Sequence, residues 1–93
     1  TIDRLTALHN KNSDIINGMG RAAKNTLRLL NYIEANPIIE ISKTAKALNL
    51  AFNTTSDAIK RLKEVGILVQ SAGERRNRIY SYEEYLDILR EGN

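Results

Sequence analysis

A mainly α fold with a small antiparallel sheet is predicted by three features of this chain. First, Ile41, Thr44, Ala45 and Leu48 repeat at i, i+3, i+4 and i+7, and a second stripe of Thr55, Ala58, Ile59, Leu62 and Val65 follows a tight turn. Second, Ile67-Leu68-Val69 and Ile79-Tyr80-Ser81-Tyr82 are short strand-like runs flanking the basic turn Arg75-Arg76-Asn77-Arg78. Third, an amphipathic stretch upstream, Ala22 to Ala35, supplies another helix for a three-helix core. Helix, turn, helix and a positively charged hairpin make up the layout of a winged helix-turn-helix, with N- and C-terminal accessory helices added.

Each element has its local reason. Thr1 to Asn17 reads as an accessory helix carrying Ile2, Leu5, Leu8, Ile15 and Ile16, and Gly18-Met19-Gly20 breaks it, since glycine costs a helix roughly 1 kcal/mol each. In the helix Ala22 to Ala35 the apolar face is Ala23, Leu27, Leu30 and Ile33. Asn36-Pro37 stops it, because the residue before proline is pushed out of the α region. Ile38-Ile39 is long enough for one small strand, which pairs with the wing in such a fold. Glu40 stands at the positive end of the helix Ile41 to Leu48. Asn49 suits the left-handed turn into the next helix, Asn53 to Val65, which Gly66 closes. Ser71-Ala72-Gly73 is expected to turn the chain between the wing strands. Ser81-x-x-Glu84 has the form of a capping box opening a last helix with the stripe Tyr82, Tyr85, Leu86 and Leu89, which Gly92 ends.

The bulk properties narrow the function. Ninety-three residues make one small domain, with residues 1–20 read as an accessory connector and 21–93 as the winged helix-turn-helix. The first residues, Thr1-Ile2-Asp3-Arg4, read as the edge of a longer chain rather than a signal peptide. No apolar run approaches the roughly 20 residues of a membrane span, so no membrane partner is expected. With no cysteine and one histidine, His9, thiolate and His-rich metal sites are excluded, and no cofactor is expected. A cytoplasmic, bacterial-type protein fits this composition. The net charge is +3, but its distribution matters more: Lys60 to Arg78 holds six basic residues against two acidic ones.

That basic excess points to double-stranded DNA as the partner. The helix Asn53 to Val65 would enter the major groove, presenting Asn53, Thr54, Ser56, Asp57, Lys60, Arg61 and Lys63. Short polar groups at a helix start suit base edges or phosphates, although Asn and Thr there also serve as plain caps. Asp57 runs against phosphate binding, but its carboxylate can accept a hydrogen bond from a cytosine amino group. In the wing, Arg75, Arg76, Asn77 and Arg78 would hold the backbone or reach a minor groove; the bland alternative is a solvated hairpin tip. Tyr80, Tyr82 and Tyr85 invite a base-stacking reading, but core packing is favoured, since Tyr82 and Tyr85 lie on the last helix's stripe. His9 reads as a surface residue, and Glu83, Glu84, Asp87 and Glu91 as a solvated helix face.

The residues also resemble a known family. Leu29-Leu30-x-Tyr32-Ile33-x-x-Asn36-Pro37-Ile38-Ile39, then Ile41-x-x-Thr44-Ala45-x-Ala47-Leu48, is similar to the C-terminal winged-helix domain of Fic-family proteins. The likeness continues through Asn53-Thr54, Ile59-x-x-Leu62 and Glu64-Val65-Gly66-Ile67-Leu68. Its most specific part is Arg76-Asn77-Arg78-x-Tyr80-x-Tyr82-x-x-Tyr85-Leu86-Asp87-Ile88-Leu89. It covers about Ala22 to Arg90, with Thr1 to Met19 as a connector. The resemblance implies a parent protein whose preceding Fic domain transfers AMP to hydroxyl side chains of target proteins. The His-Pro-Phe and Gly-Asn-Gly-Arg elements of such a catalytic loop are absent, so this chain is not expected to be an enzyme. The rival expectation to DNA binding is a protein-interaction or regulatory module packed on the Fic catalytic domain, on a second copy as a homodimer, or on a target protein. Exposed apolar residues on the first helix, or uncovered Ile39 or Ile88, would favour that rival.

Overall fold

The computed structural model describes residues 2–72 and 78–91. Its elements run α1 (Ile2–Asn17), a 3₁₀ turn (Gly20–Ala22), α2 (Ala23–Ala35), β1 (Ile38–Glu40), α3 (Ile41–Leu48), α4 (Phe52–Glu64), β2 (Val69–Ala72), β3 (Ile79–Ser81) and α5 (Glu83–Glu91). The fold class is that expected, mainly helical with a small antiparallel sheet. No described helix is long and apolar enough to cross a membrane.

The three strands lie in the order β1-β3-β2, all antiparallel, so β1 does pair with the wing. Ile39 faces Tyr80 across one pair and Gln70 faces Tyr80 across the other. The register slips between Gln70 and Ala72, which leaves Ser71 as the extra residue of a bulge. Ser71 was expected to begin a turn; it stays in β2 instead, its hydroxyl donating to the Ile79 carbonyl at 3.3 Å.

A left-handed residue closes each of the two motif helices through backbone amides. Asn49 takes the left-handed conformation, φ 55°, as its sequence position foretold. The Asn49 amide then donates to Lys46 and the Leu50 amide to Ala45, which satisfies two orphan carbonyls and turns the chain toward α4. At the end of α4 the same device recurs. Gly66, at φ 83°, donates to Lys63 while the amides of Ile67 and Leu68 both reach Leu62. That is why Ile67 and Leu68, expected as strand residues, form the helix closure, and β2 begins only at Val69.

Three buried threonines share one solution. Thr26, Thr44 and Thr55, near the starts of α2, α3 and α4, donate to the carbonyls of Ala22, Glu40 and Ala51 at 2.8, 2.8 and 3.0 Å. The bond to the carbonyl four residues back satisfies each hydroxyl, so these short side chains can face the core.

Leu29, Leu30, Ile33, Ile39, Ala58, Ile59, Leu62, Ile67 and Leu68 are buried in one cluster with Tyr80 and Tyr82, and α1 adds Leu8 and Ile16. The face of α2 is therefore centred on Leu29, Leu30 and Ile33, with Ala23 and Leu27 only at its edge. Val65, assigned to the core by periodicity, is 44% exposed because it follows the last helical residue and leaves the stripe. The capping box also fails. Ser81 is held in β3 opposite Ile38 and Val69, and α5 starts two residues later, at Glu83. Tyr80 and Tyr82 are buried, and Tyr82 stacks on Tyr85 with ring centroids 5.5 Å apart, so core packing, not base stacking, is their role.

Candidate nucleic-acid interface

The outward face of α4 is set by what its inward face must bury. Thr55, Ala58, Ile59 and Leu62 are all closed off from solvent. At 3.6 residues per turn the opposite side is then Asn53, Asp57 and Lys60, with Lys63 toward one edge; these four are exposed. Thr54, Ser56 and Arg61 flank that face and are half-buried. All seven helix residues singled out in the sequence thus come together on one side of one helix.

The start of α4 lies one residue earlier than periodicity suggested. Phe52 is its first residue and Ala51 flanks it, with no side chain capping the helix. Asn53 and Thr54 therefore do not act as the cap, which was the bland alternative for them. The first amide paired within the helix is that of Thr55, which donates to Ala51 at 3.0 Å. An uncapped N-terminus directs its leading amides and the positive end of the helix dipole outward, the arrangement that suits an anion.

Two open grooves border α4. One, of about 230 Å³, lies between it and the start of α2 and is lined by Arg21, Ala22, Asn25, Thr54, Asp57 and Arg61. The other, of about 380 Å³, lies on the α3 side, lined by Ser42, Ala45, Lys46, Asn49, Leu50 and Phe52. Asp57 thus shares its groove with two arginines, Arg21 and Arg61, without an ion pair to either within 4 Å.

Ion pairing divides the molecule. Among the described residues the ion pairs are Arg4–Glu91, Lys11–Glu84 and Arg90–Asp87, with His9 set against Glu34, and every one of these contacts lies on α1, α2 or α5. His9 is accordingly no free surface group: its Nδ1 is 2.6 Å from Glu34 Oε2, and its Nε2 is 3.3 Å from the Ser13 hydroxyl. Glu84, read as solvated, takes Lys11 at 2.6 Å. By contrast Lys60, Arg61 and Lys63 enter no ion pair among the described residues.

In the wing, Arg75, Arg76 and Asn77 lie outside the described residues. Arg78 is half-buried immediately before β3. Sequence reasoning missed Phe52, because Asn53 looks like the better helix start, and missed Arg21 and Asn25, because only the folded chain brings the start of α2 beside α4.

Residues 23–69 match the family described as winged helix-turn-helix DNA-binding, a segment running from α2 through both motif helices to the first residue of β2. No curated protein and no solved structure matches the chain. Nothing in these comparisons connects it to Fic-family proteins.

Proposed function

Because this chain belongs to the winged helix-turn-helix DNA-binding family, we propose that it is a transcription-regulatory module that grips double-stranded DNA with α4 and the wing. The outward face of α4 enters the major groove, where Asn53, Thr54, Ser56 and Asp57 meet base edges or the nearest phosphates. Lys60, Arg61 and Lys63 lie along the backbone, and Arg75, Arg76, Asn77 and Arg78 hold it on the far side of the groove. The observation that carries this reading is the division of charge. The cations of α4 enter no ion pair among the described residues, while Arg4 and Lys11 of α1 and Arg90 of α5 are paired within the fold. Arg21 and Arg61 line the same groove as Asp57 and offset its charge beside phosphates, and its carboxylate can accept from a cytosine amino group. Such a role needs no enzyme chemistry in this chain and belongs in the cytoplasm. A gel-shift of the variant carrying Arg75→Ala, Arg76→Ala and Arg78→Ala tests it. Clearly weakened binding is expected, and unchanged binding removes the wing from the interface.

A second reading, a protein-interaction or regulatory module, draws on a different observation. Ile2 is 79% exposed and lines, with Leu5, Thr6, His9, Glu34 and Tyr85, an open groove of about 290 Å³ between α1, α2 and α5. Ile15 is also exposed, whereas Ile39 is buried and Ile88 packs partly against the core. On this reading the groove side packs on a Fic-type AMP-transferase domain or a second copy of the chain, and DNA is not read. Sedimentation of the wild type against Ile2→Lys separates the cases for self-association, since a dimer through this face would dissociate in the variant.

A further inference from the structure

Phe52 is a large apolar side chain left open at the edge of the α4 face, 53% exposed on the first residue of the helix. Helical spacing puts it on the same edge as Ser56 and Lys63, and it lines a groove with Ser42, Ala45, Lys46, Asn49 and Leu50. A phenyl ring held in water forgoes the stabilisation that burial in the core would give. Its surroundings identify what it is open to. Ser42, Lys46 and Asn49 line the groove with it, beside Ala45 and Leu50, and Lys46 and Lys63 form no ion pair among the described residues. The centre of a dry protein contact is depleted of charge. A ring that shares its groove with a lysine, on a helix edge that carries a second one further along, suits a surface that alternates phosphates with small apolar groups, and in the major groove that apolar group is the C5-methyl of thymine.

We propose that Phe52 is a specificity-determining residue that packs on a thymine C5-methyl in the major groove, while Lys46 and Lys63 contact the flanking phosphates. This rests on the DNA-binding reading above and adds a base preference to it. Neither Ala nor a polar residue at the start of α4 reproduces the contact, because the ring's reach past the backbone of the first helical turn is what brings it to the methyl.

The test begins by selecting duplexes from a random-sequence library with the chain as it stands. In the selected duplex each thymine is then replaced in turn by deoxyuridine, which lacks only the methyl. Affinities for wild type, Phe52→Ala and Phe52→Leu are read by fluorescence anisotropy. At one thymine position the wild type is expected to lose about fourfold in affinity, the value of one buried methyl. Phe52→Ala should bind thymine and deoxyuridine duplexes equally at that position, and Phe52→Leu should retain part of the discrimination. Binding that is blind to the methyl at every position, or discrimination undiminished in Phe52→Ala, overturns this assignment and leaves DNA binding intact. Failure to bind any duplex overturns the DNA-binding reading and this assignment with it.

Discussion

Replacing Tyr82 with phenylalanine removes one oxygen from the place where α1 meets the core. Asn12 and Tyr82 are both fully buried, and Asn12 Nδ2 donates to the Tyr82 hydroxyl at 2.6 Å. The other carboxamide atom of Asn12, Oδ1, has no partner among the described residues. Turning the amide over would only exchange which of its two ends is unpaired, since the hydroxyl is the partner for one of them. Tyr82→Phe therefore strands the whole carboxamide, at about 1–3 kcal/mol. In Asn12→Leu the unpaired amide is replaced by apolar volume beside Leu8 and Ile16, but the tyrosine hydroxyl is left alone, so a smaller loss is expected. The double variant Asn12→Leu/Tyr82→Phe replaces both partners with apolar groups and should be close to wild type or more stable. Urea melts followed by circular dichroism give the full cycle, and 1 kcal/mol also appears as about 4–8 °C in Tm for a domain of this size. The predicted coupling is about 1–3 kcal/mol in favour of the double variant. Losses that simply add, to within about 0.5 kcal/mol, would refute the idea that this hydrogen bond satisfies an otherwise stranded amide.

Burial pushes the Tyr82 hydroxyl up to about 12 from its ordinary 10.0, against a smaller opposing pull from the Asn12 hydrogen bond. The fold thus favours the neutral phenol, its contribution is complete below pH 10, and it fades between about pH 10 and 12 by roughly 2–3 kcal/mol. Urea melts across that range should fall less steeply for Tyr82→Phe than for wild type, and equal slopes would contradict the assignment. Gly66→Ala should cost about 1–2 kcal/mol for the left-handed backbone alone, because a Cβ there meets no atom within 4 Å. A much larger loss in the same melts would point to a clash that the structure does not contain. Asp57→Asn removes an exposed carboxylate from the α4 face and should tighten binding to random-sequence duplex several-fold at low salt, with the gain shrinking as salt rises. Anisotropy titrations at two salt concentrations check it, and an affinity unchanged at low salt would set Asp57 apart from the phosphates.

The parts of this fold that were legible in the sequence are those set by local chemistry. Asn49 and Gly66 mark their left-handed turns because few residues tolerate positive φ, and Asn36-Pro37 marks its stop through proline sterics. The inward face of α4 follows from the 3.6 period. What misled was chemistry with two possible uses. Ser81 and Glu84 have the spacing of a capping box, yet β3 needs Ser81 for pairing with two neighbouring strands, and three-strand pairing outweighs one cap. Ser71 looked like turn material but is absorbed as a bulge. Asn53 looked like a helix start, which hid both the uncapped end at Ala51 and the exposed ring of Phe52. Contacts between residues far apart in sequence, such as His9 with Glu34 or Asn12 with Tyr82, carry no local signal and required the fold. For the candidate site, the sequence identified the basic segment, but that Lys60, Arg61 and Lys63 enter no ion pair among the described residues could be read only from the fold.

The most direct test of the central claim is the salt dependence of binding to a fluorescently labelled random-sequence duplex, measured by anisotropy. Each phosphate contact releases counterions and contributes about −0.9 to the slope of log affinity against log salt. With Lys60, Arg61, Lys63 and the wing arginines on the backbone, a slope of roughly −4 or steeper is predicted. Absence of binding at about 50 mM salt and high micromolar protein would fall below ordinary non-specific affinity. That result would contradict DNA binding and leave the groove at Ile2 as the surface to pursue.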